Sequence, residues 1–243
     1  MRRALSLCAL LICIVAAGCG NDDHVINPPI HIDTLTAAFQ DGVSPSPAYG
    51  GTLDAILKDG PTSSFREWNF GSTPFDTIGV VQLGTNLYER RLILKMDLSQ
   101  ITGCSKVIEA TLSIHVRPPG LDSLTLEAYR VLRPAGNSWV EGIGGPGAGV
   151  SWTTVDGGEP WTTAGGDHDP TPLDMKTIST DSVFTFSLPP ALVLTWIKQP
   201  PTNHGVIIAS ADPMLARSTT LFLRESDRAY RRPSMRIIYL KGG

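Results

Sequence analysis

The strongest constraint in this sequence is a pair of alternating stretches between Arg90 and Val116. Every second residue is apolar, namely Leu92, Leu94 and Met96 in the first stretch and Ala110, Leu112, Ile114 and Val116 in the second. Successive side chains of a β-strand point to opposite faces, so each stretch has one apolar and one largely polar face. Antiparallel sheets that cover a core with one face have this pattern. The sequence therefore predicts two strands, with Ile93 among the outward residues of the first and a turn within 98–105.

Shorter strand-like segments, separated by glycine and proline, lie on both sides of this pair. They span 52–57, 77–83, 123–132, 183–187, 205–210, 219–224 and 235–240. One short helix is predicted to end at Lys198, because Pro189-Pro190 can open a helix and Pro200-Pro201 would stop it. Many short strands, turn residues and one helix predict an all-β fold, an antiparallel β-sandwich that is jelly-roll-like.

The amino terminus is expected to be a sorting signal. Arg2 and Arg3 precede an apolar run, 4–17, that is too short to span a bilayer. The run ends in Val15-Ala16-Ala17-Gly18-Cys19, which resembles the lipobox of bacterial lipoproteins and implies cleavage before Cys19 and lipidation of its thiol. An ordinary signal peptide with a coincidental cysteine is the alternative. Because Gly20 is not Asp, the analogy with Gram-negative sorting implies the outer membrane.

The chain is predicted to have three parts. Residues 1–18 form the signal, 19–50 a polar tether rich in proline and glycine, and 51–243 the folded domain. The short apolar run 30–39 has an alternative interpretation as an edge strand. Losing Arg2 and Arg3 lowers the basic count from 20 to 18 against 23 acidic residues, a net charge of −5, and no basic run is present. Nucleic acid is therefore not an expected partner.

The segment 133–180 is a long loop rich in tryptophan and glycine, without strand or helix periodicity. It contains Trp139, Trp152 and Trp161, and three tryptophans argue against disorder in so long a loop. Their flat rings could form a platform for sugars, with Glu141 binding hydroxyl groups. The alternative is structural: the same rings could fix the loop to the sandwich by burying apolar area.

Carboxylates in this loop raise two further hypotheses. Asp167 and Asp169 follow a Gly-Gly pair and offer the oxygen ligands that calcium prefers, with Glu141, Asp156 and Asp174 as additional donors; a metal-free polar turn is the alternative. Glycoside cleavage would need two carboxyl groups, and Glu141, Glu159 and Asp169 could supply them. No sequence signature of a hydrolase, metalloprotease or nucleotide site is present, and we expect no catalytic residues.

Several motifs resemble those of DNRLRE-domain proteins, which include carbohydrate-binding modules and archaeal disaggregatase-related domains. RLILKMDLS at 91–99 resembles the RxLLKFDLS strand of that family, with Met96 in place of Phe. Further matches follow in the family's order across 51–240, although the six-letter name motif is not present as a string. They are Asn69-Phe70-Gly71, Trp139-Val140-Glu141-Gly142, Ser151-Trp152, Trp161, Gly165-Gly166-Asp167, Leu192, Trp196, Asn203-His204-Gly205-Val206, Arg224-Glu225 and Arg232-Pro233.

The resemblance implies an extracellular β-sandwich that binds rather than cleaves. Our first functional hypothesis is a lipid-anchored, non-catalytic module of the cell envelope that binds polysaccharide through Trp139, Glu141, Trp152 and Trp161. The second is a structural envelope lipoprotein that contacts other proteins. The third, a polysaccharide-cleaving enzyme, has the least support because nothing in the sequence orients the candidate carboxyl groups.

Overall fold

A computed structural model describes residues 33–118, 123–134, 136–178 and 183–242. The expected signal 1–18 and the lipidation site Cys19 lie outside the described residues. Eleven strands and two α-helices are present in these ranges: β1 (Asp33–Gln40), β2 (Thr52–Lys58), α1 (Ser63–Arg66), β3 (Phe75–Leu83), β4 (Asn86–Met96), β5 (Cys104–Arg117), β6 (Leu124–Arg130), β7 (Asp174–Ile178), β8 (Val183–Ser187), α2 (Pro190–Lys198), β9 (Val206–Ser210), β10 (Ser218–Phe222) and β11 (Ser234–Lys241).

The strands form a jelly-roll sandwich in which every pairing is antiparallel. One layer has the order β1-β11-β5-β8 and the other β4-β9-β6-β7. β2 pairs along the free edge of β4, while β3 and β10 link β4 to β5. The all-β sandwich predicted from the sequence is confirmed.

A single apolar cluster lies between the two layers. Alternate residues of β5, such as Leu112 and Ile114, meet Leu92 and Leu94 of β4 in this cluster, and all four are fully or almost fully buried. The helix α2 packs against the same cluster through Val193 and Trp196. Alternation along the strands thus positions this cluster, which we call the inner core, as the sequence predicted.

The stretches around β4 and β5 are strands as predicted, but they do not pair with each other. β4 pairs with β2, β3 and β9, whereas β5 pairs with β8, β10 and β11. The connection 97–103 therefore crosses from one layer to the other. Ile93, expected on a polar outer face, is 0% exposed because a second apolar cluster covers that face.

The tether predicted over 19–50 is too long. Residues Asp33–Gln40 form β1, which pairs with β11 along its whole length from Asp33↔Lys241 to Gln40↔Ser234. The edge-strand interpretation of 30–39 was therefore correct for its described part. Tyr49 is also buried, with its hydroxyl donating to the Asp97 carbonyl at 3.0 Å. Only 19–32, outside the described residues, remains as a candidate tether.

Two elements within the described ranges were not predicted. β7 lies inside the segment expected to be a loop, and its five residues pair with β6. The single-turn helix α1 follows β2, where the Thr62 side chain accepts a hydrogen bond from the Phe65 amide at 3.2 Å. In the part of the chain that is described, no helix is long and apolar enough to cross a bilayer.

The inner core should dominate the stability of this fold. Ile56→Ala removes a fully buried side chain and should lower the free energy of unfolding by about 2–5 kcal/mol. The matched control is Ile108→Ala, at a β5 position that is 46% exposed, where we expect a change within about 0.5 kcal/mol. Urea denaturation measures both values. Similar losses in the two variants would contradict this position of the core.

Candidate functional site

The long loop is an ordered layer over the outer face of the sandwich. Its three tryptophans are 2–8% exposed and join apolar residues of β2, β4 and β9 in a second cluster, which we call the tryptophan core. Its buried members are Ala55, Leu57, Ile93, Val131, Trp139, Val150, Trp152, Val155, Trp161 and Ile207. Indole N–H groups are satisfied inside the protein: Trp139 donates to the His204 carbonyl at 2.9 Å and Trp161 to the Ser151 carbonyl at 3.0 Å.

The prediction that Trp139, Trp152 and Trp161 form a sugar platform is wrong. A stacking platform needs an open ring face, and these rings are packed against other side chains. Basic groups also lie over them, with Lys95 Nζ 5.0 Å from the Trp139 ring centre and the Arg91 guanidinium 5.1 Å from that of Trp152. The structural alternative applies to all three: they fix the loop to the sheet.

The calcium site predicted at Asp167 and Asp169 is not assembled. Both carboxylate oxygens of Asp167 accept loop amides, from Thr162 at 3.0 Å and Thr163 at 2.7 Å. Asp169 accepts the Thr171 amide at 3.0 Å. Among the described residues, neither aspartate belongs to a group of three metal-ligating side chains. The polar-turn alternative explains this segment.

Glu141 lies in a different constellation, a partly buried set of carboxylates around Arg224. Glu141 accepts the backbone amide of Asp54 at 2.8 Å and contacts the Arg224 guanidinium at 3.0 Å. Arg224 also contacts Glu225 at 2.7 Å, and its backbone amide donates to Asp54 at 2.8 Å. Strand β2, the long loop and the segment after β10 meet here. We call Asp54, Glu141, Arg224 and Glu225 the carboxylate cluster.

Burial makes this cluster an unusual electrostatic environment. It raises the pKa of Glu141 to about 7, opposed by the Asp54 amide and Arg224. Burial, with the charge of Glu225, also raises the pKa of Asp54 well above its usual range. Three carboxyl groups face one guanidinium, so protonation of the most buried carboxyl relieves the excess negative charge.

The carboxylate cluster is the group of described residues with the best placement for a metal. Asp54, Glu141 and Glu225 each offer an oxygen within 4.8 Å of the others. Three carboxylates are fewer donors than the six to eight oxygens that calcium prefers, and Arg224 already contacts all three residues. The arrangement therefore fits a structural ion-pair network better than a metal centre, and we assign no metal to it.

One tryptophan remains open to solvent, and no sequence pattern singled it out. Trp68 is 42% exposed, whereas the other four tryptophans are buried. It lines a cleft of about 350 Å³ with residues of α1 and of two turns in the long loop, which we call the Trp68 ledge. Its lining is Ser64, Glu67, Trp68, Pro146, Gly147, Thr154 and Gly157.

Asn69 fixes the two loops that form this ledge. Its side chain accepts the Gly144 amide at 2.6 Å and donates to the carbonyls of Gly145 at 2.8 Å and Ala148 at 3.2 Å. Backbone hydrogen bonds join Asn69 and Gly145 in both directions. At Gly157, a Cβ would lie 2.4 Å from the Gly147 carbonyl oxygen, so a glycine is required for the two turns to meet. Trp68 is thus attached to a rigid support.

A second opening, the polar cleft, also includes a residue of the turn 153–160. It encloses about 680 Å³ and is lined by Leu132, Arg133, Pro134, Glu159, Thr162, Thr163, Gly166, Asp167, His168 and Pro170. Arg133 and Asn137 donate to opposite oxygens of Glu159, at 2.7 and 3.2 Å. These bonds lower the pKa of Glu159, which keeps the carboxylate ionised and oriented.

Comparison with models of known protein families gives no match, and a comparison with curated proteins gives no relative. The structure brings the motifs at 69–71, 139–142 and 224–225 together: Asn69 contacts the long loop, and Glu141 contacts Arg224.

The carboxylate cluster predicts a pH dependence of stability. The folded protein holds a proton on Glu141 up to about pH 7, whereas an unfolded Glu loses it near 4.5. Stability should therefore fall as the pH rises from 5 to 7.5, because ionisation of Glu141 is costly only in the folded state. Glu141→Gln should make this decline shallower in thermal melts across that range.

Glu159→Gln is the control for this experiment. The pKa of Glu159 is lowered, so its carboxylate is ionised in both the folded and the unfolded state while Glu141 titrates, and the decline should remain as in the wild type. Parallel pH profiles for the wild type and Glu141→Gln would contradict the raised pKa.

Proposed function

We propose that this protein is a non-catalytic module that binds polysaccharide at the Trp68 ledge. The observation that carries the proposal is the exposed indole of Trp68 on a support fixed by Asn69. An indole face packs against the C–H groups of a sugar ring, and a rigid aromatic loses little conformational entropy on binding. Ser64, Glu67 and Thr154 line the same cleft and offer hydroxyl and carboxylate groups to sugar hydroxyls.

The polar cleft supports an extended binding face. The turn 153–160 contributes Thr154 and Gly157 to the Trp68 ledge and Glu159 to the polar cleft, so one turn lines both openings. Glu159, oriented by Arg133 and Asn137, is a preorganised acceptor, while Leu132 adds apolar surface. Such a combination suits a chain of sugar residues better than a single small molecule.

The sequence resemblance gives this proposal its biological setting. DNRLRE-like motifs imply a surface domain that binds a ligand, which they leave open, and the lipobox-like ending at Cys19 implies attachment to the cell envelope by lipid. We propose an outer-membrane lipoprotein that carries the sandwich as a glycan-binding domain. Catalysis is not part of the proposal, because Glu141 is bound to Arg224 and the Asp54 amide rather than facing a cleft partner.

Affinity electrophoresis of the full-length protein in detergent, in gels containing neutral or acidic polysaccharides, tests the ledge. Trp68→Ala should weaken retardation about tenfold or more, as expected for a central aromatic contact. Leu83→Ala, a substitution at another exposed apolar position, should bind like the wild type. In the wild type, a bound polysaccharide should also protect tryptophan fluorescence from iodide.

Two results would refute polysaccharide binding at the Trp68 ledge. One is a wild-type protein that no polysaccharide retards, and the other is undiminished binding by Trp68→Ala. Stoichiometric capture of an envelope protein without glycan binding would instead support the structural lipoprotein hypothesis.

The anchor is tested separately with Cys19→Ser. Two or more acyl chains anchor a protein stably in a bilayer. If Cys19 carries such an anchor, the wild type should stay in the membrane fraction under high-salt washing. The variant should be uncleaved or soluble. Cys104→Ala is the control, since Cys104 is buried within the sandwich and should not affect membrane retention. Equal retention of wild type and Cys19→Ser would show that Cys19 is not the anchor.

A further inference from the structure

A third cleft, separate in its lining from the two already described, lies where β3, β5 and β10 meet. Its volume is about 350 Å³, and we call it the arginine cleft; it is lined by Phe75, Arg117, Pro118, Phe222, Asp227 and Arg228. Phe75 of β3 is the register partner of Phe222 in β10, and Arg117 of β5 pairs with the same strand at Thr220. Strand pairing therefore fixes the aromatic floor and one of the cations.

Three guanidinium groups surround these aromatic rings. Arg117 lies 3.8 Å from the Phe75 ring centre, and Arg228 and Arg231 each lie 5.9 Å from that of Phe222. Arg231 also lies 5.5 Å from the Tyr230 ring centre. This geometry is that of cation–π contacts, which occupy the flat face of a guanidinium and leave its N–H edge free.

Carboxylates of the described residues do not pair with these arginines. Within the described ranges none of the three forms an ion pair, whereas five other arginines do: Arg66, Arg91, Arg133, Arg224 and Arg236. Arg231 approaches the His115 ring nitrogen at 3.5 Å, and Asp227 is the carboxylate on the lining. On the described lining, Arg117 and Arg228 accompany one carboxylate, and with Arg231 against the Phe222 ring they give this region an excess of positive charge on a protein whose net charge is −3.

Exposed aromatic surface lies beside these cations. Phe75 is 42% exposed and Tyr230 is 64% exposed. An acidic sugar has matching chemistry, because its ring offers an apolar C–H face and its carboxylate or sulfate accepts bidentate hydrogen bonds from arginine. We infer that the arginine cleft binds the acid groups of an anionic polysaccharide. This inference rests on the proposed glycan binding and adds a charge class to the ligand.

An anionic lipid surface is a less suitable occupant. Membrane-binding proteins present a broad cluster of basic residues to the bilayer, and the net negative charge of this chain opposes such contact. A cleft of about 350 Å³ is at the lower end of ligand-pocket sizes and accommodates a single ring with its acid group.

The experiment compares acidic polymers with a matched neutral one. Full-length protein in detergent is run through gels containing polygalacturonate, its methyl ester or chondroitin sulfate. The wild type should prefer an acidic polymer over the methyl ester, and the preference should decrease with added salt. The double variant Arg117→Gln/Arg228→Gln should bind the acidic polymer at least tenfold more weakly while keeping its affinity for the neutral ester.

The matched control is Arg236→Gln, which removes an exposed arginine that is paired with Glu109 on another part of the sandwich. It should retain wild-type binding, and thermal melts should show that all variants are folded. Unchanged acidic-polymer binding by the double variant, together with loss in Trp68→Ala, would overturn the arginine cleft and leave the glycan proposal intact. Arginine-dependent binding to phosphatidylglycerol vesicles without retardation by either acidic polymer would also overturn it. Absence of binding to every polysaccharide would refute both proposals.

Discussion

The need to cover an apolar outer sheet face determines the rest of this structure. Strands β2, β4 and β9 have buried residues on both faces, with Ile56 and Leu92 towards the inner core and Leu57, Ile93 and Ile207 towards the tryptophan core. A sheet face of this kind cannot be left in water. Burying one tryptophan removes about 150–250 Å² of surface from solvent. The corresponding hydrophobic free energy is at most about 4–6 kcal/mol for each ring. The long loop is therefore a third layer of the domain.

Polar interactions position that layer once the apolar ones have attached it. Asn69 joins the segment after β2 to the long loop, and Arg224 joins the long loop to the segment after β10. Neither link is local, since Asn69 lies 75 positions from Gly144 and Arg224 lies 83 positions from Glu141. Removing one partner from such a buried network leaves the others unpaired, so its members are more restrictive than surface ion pairs. The Asn69 link also holds the exposed Trp68, which directly precedes it in the chain.

The alternating strands and the helix from Pro190 to Lys198 could be predicted because local periodicity encodes them. The burial of Trp139, Trp152 and Trp161 could not, because it depends on which strand face is apolar after β2, β4 and β9 have paired. Tryptophan composition suits both a buried anchor and an exposed platform, and sequence position does not distinguish them. The carboxylate cluster could not be predicted either, because the sequence around Glu141 gives no indication of its partners. Nothing in the sequence distinguished the exposed Trp68 from the four buried tryptophans.

The pairing of β1 with β11 has a mechanical consequence for an anchored protein. The eight register pairs from Asp33↔Lys241 to Gln40↔Ser234 run antiparallel along the edge of one layer. A pull on Asp33 along the strand direction would load these pairs together, in shear, instead of peeling them apart one by one. Resistance to such a pull is governed by an unfolding rate, not by the equilibrium stability of the domain. A domain that grips a large polymer while its other end is fixed in a membrane would experience this kind of force.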